Sequence, residues 1–206
     1  MRTTARRPAR PSRRRFGYSL AALLVVAGLV ACAVAGWSHV RGTYEIISAQ
    51  RQLSRQLAEE WRHPSDMDRR AGAPAFRLEL PTLRRSWVAV HGIGPEELSR
   101  GPGYAGTAVG QLGNVVVAGH RNPALFWDLD ELRPGDPIVV LTRDQRVVYR
   151  VARSQVLPTS AGWAMAANPD QPAAPPARQL LTLITCHPKL TTARRLVVRA
   201  ELATGQ

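Results

Sequence analysis

The sequence predicts an all-β domain, barrel or sandwich, standing behind an N-terminal transmembrane helix. Three observations carry this reading. Seven strand-length apolar runs are divided by Pro and Gly, no helical pattern of about 10 to 15 residues recurs between them, and one stretch of 22 residues near the N-terminus has no charge. The chain has 206 residues, 45% hydrophobic and 21% charged, the balance of a globular protein with a real core.

Residues 1–15 hold seven Arg and no acid, and the uncharged run from Phe16 to Trp37 follows directly. A run of that length spans a bilayer, and Arg on its N-terminal side orients the tail to the cytoplasm and the rest outward. The expected protein is single-pass in the plasma membrane, with its bulk extracytoplasmic. Two processing readings predict the same compartment: Ala33-Val34-Ala35 as a signal-peptidase site, and Leu29-Val30-Ala31-Cys32 as a lipoprotein box with Cys32 acylated. Residues 38–75 read as stalk and linker. Thr43 to Trp61 is helical, with Ile46, Ile47, Leu53, Leu57 and Trp61 spaced for one face, either a juxtamembrane stalk or a helix packed on the domain. His63 to Ala75 has linker composition, which sets the domain at 76–206.

Within that domain the predicted strands are Phe76 to Leu80, Trp87 to Val90, Asn114 to Ala118, Pro137 to Leu141, Val147 to Val151, Leu180 to Thr185 and Arg195 to Leu202. Ala161 to Ala177 has four prolines after Asn168 and no periodicity, so it reads as a long loop of the kind that often serves function. Only four residues follow Leu202, so no second C-terminal span is expected.

Composition also excludes several chemistries. The net charge of +13 suggests nucleic acid until it is located, but more than half lies in the tail and no aromatic-interleaved basic stripe follows. Nucleic acid is therefore not an expected partner. Lys189 is the single lysine, which argues against Schiff-base and P-loop chemistry, and two cysteines are too few for a disulfide scaffold or a four-thiolate zinc site.

Cys186 ends the most apolar strand and is followed by His187-Pro188, where Pro interrupts pairing, so its thiol sits at a strand exit. His120 sits at another, after Asn114 to Gly119. His187 is nearer in sequence but, if still extended, points to the opposite face from Cys186. The eight residues between Cys186 and Arg195 suit a hairpin that sets Arg195 beside the thiol. Alternation gives Arg194 the face of Leu196, Val198 and Ala200, and Arg195 the other, which makes Arg195 the candidate and Arg194 the reserve. Cys, His and Arg make an acyl-transfer set: thiolate nucleophile, imidazolium acid, and guanidinium for a carbonyl or oxyanion. It needs no metal or cofactor. No helix N-terminus is evident near Cys186 to activate the thiol further, so a slow, committed transfer is expected.

The ordered segments Gly101-Pro102-Gly103-Tyr104, Gly106-Thr107-Ala108, Gly113-Asn114, Ala118-Gly119-His120-Arg121, Leu132-Arg133-Pro134-Gly135-Asp136, and Thr182-Leu183-Ile184-Thr185-Cys186 with Arg195 nine residues on resemble a sortase. The resemblance covers about residues 76 to 202 and is strongest to the class E sortases of high-GC Gram-positive bacteria. It implies a closed eight-stranded β-barrel with short helices. It further implies cleavage of a C-terminal sorting signal between Thr and Gly, and transfer of the acyl group to a cell-wall precursor amine such as that of lipid II. His120, Cys186 and Arg195 fall on the family's catalytic positions, Thr185 on a position associated with the substrate groove. Class E members usually favour Leu-Ala-x-Thr-Gly over Leu-Pro-x-Thr-Gly. Val109 to Gly113 departs from the family's Pro-Gly-x-Pro-Gly-like stretch. A papain-like peptidase usually sets Cys before His, the Ser-x-Gly-Cys-x-Arg signature of L,D-transpeptidases is absent, and a non-catalytic anchored β-domain is the alternative of another class.

Overall fold

The computed structural model describes residues 13–63 and 69–203. Residues 1–42 and 43–206 form separate compact units. Helix α1 is Arg13–Arg62. Most of the basic tail, residues 1–12, lies outside the described residues, as do the side chains at both ends of the predicted span. Where side chains are described in that span, Leu23, Leu24, Val25, Val26, Leu29 and Val30 are all exposed, as is Cys32. Among the described residues no helix is long and apolar enough to cross a membrane.

The second unit is a closed barrel of eight strands: β1 (Pro74–Leu80), β2 (Arg85–His91), β3 (Gly103–Gly106), β4 (Gly113–Ala118), β5 (Pro137–Leu141), β6 (Arg146–Pro158), β7 (Gln179–His187) and β8 (Arg194–Leu202). Around the barrel the order is β1-β2-β3-β4-β7-β8-β6-β5. Two neighbouring pairs are parallel, β2 with β3 and β4 with β7; the others are antiparallel. The short helix α2 (Pro95–Arg100) connects the first parallel pair, and the β5–β6 hairpin intervenes in the second.

Alternation fills the interior. Phe76, Leu78 and Leu80 from β1, Val115 and Val117 from β4, Leu181 and Leu183 from β7, and Leu196, Val198 and Ala200 from β8 all enter one core. Such fully buried aliphatic side chains contribute about 1.5–3 kcal/mol each. Residues 43–62 of α1 pack on the outer face of β2, where Leu53 and Leu57 meet Val88 and Val90 in a second cluster. Gln50 fastens this contact by imitating a peptide: its Nε2 donates to the Val88 and Arg100 carbonyls at 3.0 and 3.1 Å, and Val88 N donates to its Oε1 at 2.8 Å. A Cβ on Gly101 would stand 2.1 Å from that Nε2, so only glycine admits the amide. Of the two readings of the 43–61 helix, the packed one is observed.

Two strands escape the sequence pattern. β3 is Gly-Tyr-Ala-Gly, with too few β-formers to register as a run. The second half of β6, from Ala152, is mostly exposed, and the register slips between Val151 and Arg153 at a bulge that breaks the alternation.

Candidate active site

The β7–β8 hairpin decides which side chains meet. Leu181, Leu183 and Thr185 point inward along β7, which leaves Thr182, Ile184 and Cys186 on the outer face. Cys186 is paired directly with Arg195 in the ladder, and His187 with Arg194. Directly paired residues project their side chains to the same side of a sheet, with Cβ atoms about 5 Å apart. Cys186 and Arg195 are thus neighbours on the outer face, both half-buried, whereas Arg194 is exposed.

His120 arrives from the parallel strand on the other side. Ala118 is paired with Ile184, and Gly119 N donates to the Ile184 carbonyl at 3.0 Å. β4 ends at Ala118, and His120 follows two residues on, past the strand end next to the part of β7 that leads to Cys186. The Thr185 hydroxyl turns inward and donates to the Gly119 carbonyl at 2.8 Å, holding together the two strand exits that carry imidazole and thiol. Gly119 is fixed by close packing, since a Cβ there would lie 2.8 Å from the Phe126 ring. Thiol, exposed imidazole and guanidinium therefore converge at one end of three neighbouring strands.

Arg195 Nη1 donates to the Thr192 and Arg194 carbonyls at 3.0 and 3.1 Å, and no other described contact engages its guanidinium. The side chain is aimed by the β7–β8 turn without being neutralised by a carboxylate. Among the described residues no cluster of His, Cys, Asp or Glu is placed to hold a metal ion. A groove of about 920 Å³ beside Gln145, Arg150 and Glu201 lies at the opposite end of β8 from this constellation.

Residues 78–203 match the sortase domain model. The chain belongs to the sortase family. It is 29% identical to Sortase SrtE1 of Streptomyces coelicolor over 180 residues, 81% of this chain and 50% of the relative. It is 34% identical to Sortase SrtE2 of the same organism over 97 residues, 45% of this chain and 38% of the relative. The chain thus spans half or less of the length of these curated relatives. The crystal structure of Sortase E1 from Streptomyces coelicolor with tripeptide in the active site superposes with a TM-score of 0.59 at 29% identity, covering 65% of this chain and 90% of that one. The SrtA sortase from Actinomyces oris gives 0.63 at 26% identity, covering 66% and 83%.

Beside Cys186 this sortase has a second arginine that sequence reasoning passed over. Arg121 is 7% exposed; its Nη1 reaches the Cys186 carbonyl at 3.3 Å and His187 Nδ1 at 3.1 Å, and its Nη2 meets Asp130 Oδ1 at 2.7 Å. Since guanidinium only donates, His187 Nδ1 must accept and carry its proton on Nε2. One buried fork thereby ties the segment after His120 to the backbone of Cys186. Its only signal in the sequence is its place directly after His120.

The long loop between β6 and β7 is fastened at two points on the outer face that carries Cys186. Asn114 Nδ2 donates to the Ala164 and Ala166 carbonyls at 3.2 and 3.1 Å, and its Oδ1 accepts from Thr182 Oγ1 at 2.7 Å. Further along, Asp170 pairs with Arg153 at 2.5 Å, with Arg199 at 2.6 Å, and with Arg178. Burial pushes the Asp170 carboxyl up, but the Arg153 hydrogen bond and the charges of Arg199, Arg153 and Arg178 outweigh it and hold the carboxyl below its ordinary value. Burial lowers the Arg199 value, and repulsion from Arg153 adds to this.

Proposed function

We propose that the chain is a membrane-anchored cysteine transpeptidase of class E type, acting on secreted proteins that carry a C-terminal sorting signal. The observation that supports this most is the direct pairing of Cys186 with Arg195 beside the strand exit that carries His120. Cys186 Sγ, as thiolate, attacks the carbonyl carbon of the signal threonine, and Arg195 donates from Nε and Nη2 to the oxygen that gains charge. The C–N bond to glycine breaks as the His120 imidazolium protonates the departing amine, which leaves a thioester on Cys186. A cell-wall precursor amine, that of lipid II, attacks the thioester and gives its proton to His120 as the C–S bond breaks and the thiolate returns.

The preferred signal in this reading is Leu-Ala-x-Thr-Gly, carried over from the class E resemblance. The uncharged run from Phe16 to Trp37 serves as a retained single-pass anchor in the plasma membrane, with the N-terminus cytoplasmic and the barrel outside. Full-length protein incubated with Leu-Ala-x-Thr-Gly and Leu-Pro-x-Thr-Gly peptides plus an amine should yield a Cys186 thioester by mass spectrometry and a higher kcat/KM for the Ala signal. Absence of any acyl-enzyme would overturn the transpeptidase reading, and a tenfold preference for Pro the class E assignment alone. Protease added outside protoplasts should release most of the chain beyond Trp37; a stub diacylated at Cys32 would establish a lipoprotein instead.

A further inference from the structure

Between α1 and the β1–β2 hairpin runs a groove of about 540 Å³ lined by five arginines, Arg51, Arg55, Arg77, Arg84 and Arg85. Arg85 is paired with Asp128 at 3.3 Å. Among the described residues no carboxylate is paired with the other four. The nearest acid on the same sheet face is Glu79, opposite Ser86 in the ladder. Counting both carboxylates, the groove keeps three arginines in excess. None of them belongs to the constellation around Cys186.

Beside Gln50, Ser54 and Ser86, the rest of the lining is apolar. Ile46, Ile47, Trp87 and Ala124 face the same space, and Trp87 is fixed by its indole Nε1 donating to the Ala124 carbonyl at 2.8 Å. On the same stretch of helix Tyr44 is 71% and Ile47 41% exposed, an aromatic and an aliphatic side chain left facing outward. A free polyanion would leave the apolar lining unmatched. An amphiphile with a phosphate head and an apolar body would match both, because guanidinium forks bind phosphate oxygens in pairs while the Ile and Trp surfaces take the rest. In sequence the groove begins at Ile46, nine residues after Trp37 at the end of the proposed span.

We propose that this groove binds the phosphate headgroup of an anionic membrane lipid. The proposal rests on the membrane-anchored reading for its choice of a lipid over other phosphates. Arginines near a bilayer surface each add to the attraction for anionic headgroups, so removal of four is expected to weaken binding about tenfold or more.

The test uses the full chain in neutral detergent, exposed to equal amounts of phosphatidylglycerol and phosphatidylcholine, with retained lipid counted by native mass spectrometry. Wild type should prefer phosphatidylglycerol. The variant Arg51→Gln/Arg55→Gln/Arg77→Gln/Arg84→Gln should lose that preference, and the control Arg143→Gln/Arg146→Gln should keep it. Both variants retain the seven-Arg tail, so the difference belongs to the groove. Should the fourfold variant not fold, Arg51→Gln/Arg55→Gln, both on the exposed side of the helix, carries the same comparison. Equal retention of the two lipids, or a preference that survives the groove substitutions, overturns the proposal. So does displacement of the lipid by equimolar inorganic phosphate, which would indicate a free-phosphate site, or by soluble polyphosphate, which would indicate a polyanion surface. Carbonate extraction of membranes scores the anchor separately, so loss of the anchor and loss of the groove are distinguishable.

Discussion

Arg195 and Arg199 stand four residues apart on one face of β8, yet the fold treats them oppositely. Arg199 is 2% exposed, opposite Thr182 in the ladder, and closed over by the β6–β7 loop, whose Asp170 it meets at 2.6 Å. Arg195 is half-buried opposite Cys186 and donates only to backbone carbonyls of the turn beside it. Where the protein supplies the carboxylate, the guanidinium becomes structure. Where it supplies only orientation, the guanidinium keeps no carboxylate partner among the described residues. The same hairpin thus has a closed end and an open end, and the loop that closes one starts beside the other, where Pro158 is paired with Arg194.

The sharpest break in this comparison comes at the open end. Cys186→Ala should abolish both thioester and product while the melting temperature hardly moves, read by mass spectrometry and calorimetry; residual transfer would sink the covalent route. Next in size, Arg195→Ala should lower kcat about 10²–10³-fold with stability nearly intact, as on removing an oxyanion donor, and Arg194→Ala should do far less. Arg199→Met should show the reverse pattern. It strands Asp170 beside two remaining arginines and should cost about 1–3 kcal/mol of stability by denaturant titration. Equal stability losses for Arg195→Ala and Arg199→Met would erase the distinction between the two ends.

That Cys186 and Arg195 are ladder partners, with His120 just past the end of the neighbouring strand, follows from short-range rules. Period-two alternation fixes faces, Pro188 and Gly119 mark strand exits, and an eight-residue connection closes a hairpin. The barrel's strands were legible wherever they were apolar. β3, with two glycines in four residues, and the exposed half of β6 were not, because partners rather than propensity make them strands. Neither was the fastening of the site. Arg121 reaches Cys186 across 65 positions, and Asn114 reaches Ala164 across 50, and nothing local in a sequence announces such contacts. Asp170 is one acid in a proline-rich loop; its role exists only once β6 presents Arg153, β8 presents Arg199 and the chain just before β7 presents Arg178.

A smaller effect is expected from the fork behind Cys186. Arg121→Met should lower kcat about 10- to 100-fold and leave KM nearly unchanged, since displaced reacting groups cost rate more than binding. Arg121→Lys keeps a charge for Asp130 but lacks the fork, so it should restore stability better than rate. A readout that mere loss of stability would not move is the 15N spectrum of His187. Its Nδ1 should be an unprotonated acceptor in wild type and lose that fixed tautomer in Arg121→Met. An unchanged tautomer with reduced rate would remove Arg121 from the positioning of this end.

The least disruptive perturbation is acid, and it should act on the closed end first. The Asp170 carboxyl is held below its ordinary value of 3.8 by the Arg153 hydrogen bond and by Arg199, Arg153 and Arg178, which together overcome the upward push of burial. A group whose folded value is depressed contributes fully above its unfolded value, and that contribution is lost as pH falls through the folded one. The loop clamp should therefore be complete at neutral pH, begin to weaken near pH 4, and fail only at lower pH. Asp170 is partly exposed, so solvent and salt reduce what the clamp contributes. Hydrogen exchange over residues 159–178, followed from pH 6 to pH 3 in wild type and Asp170→Asn, isolates the effect. Wild-type protection should fall with acid toward that of Asp170→Asn, whose protection in this segment should be low throughout and, once the intrinsic pH dependence of exchange is removed, much less dependent on pH. Parallel curves for the two proteins would mean that Asn114 and Thr182 alone fasten the loop.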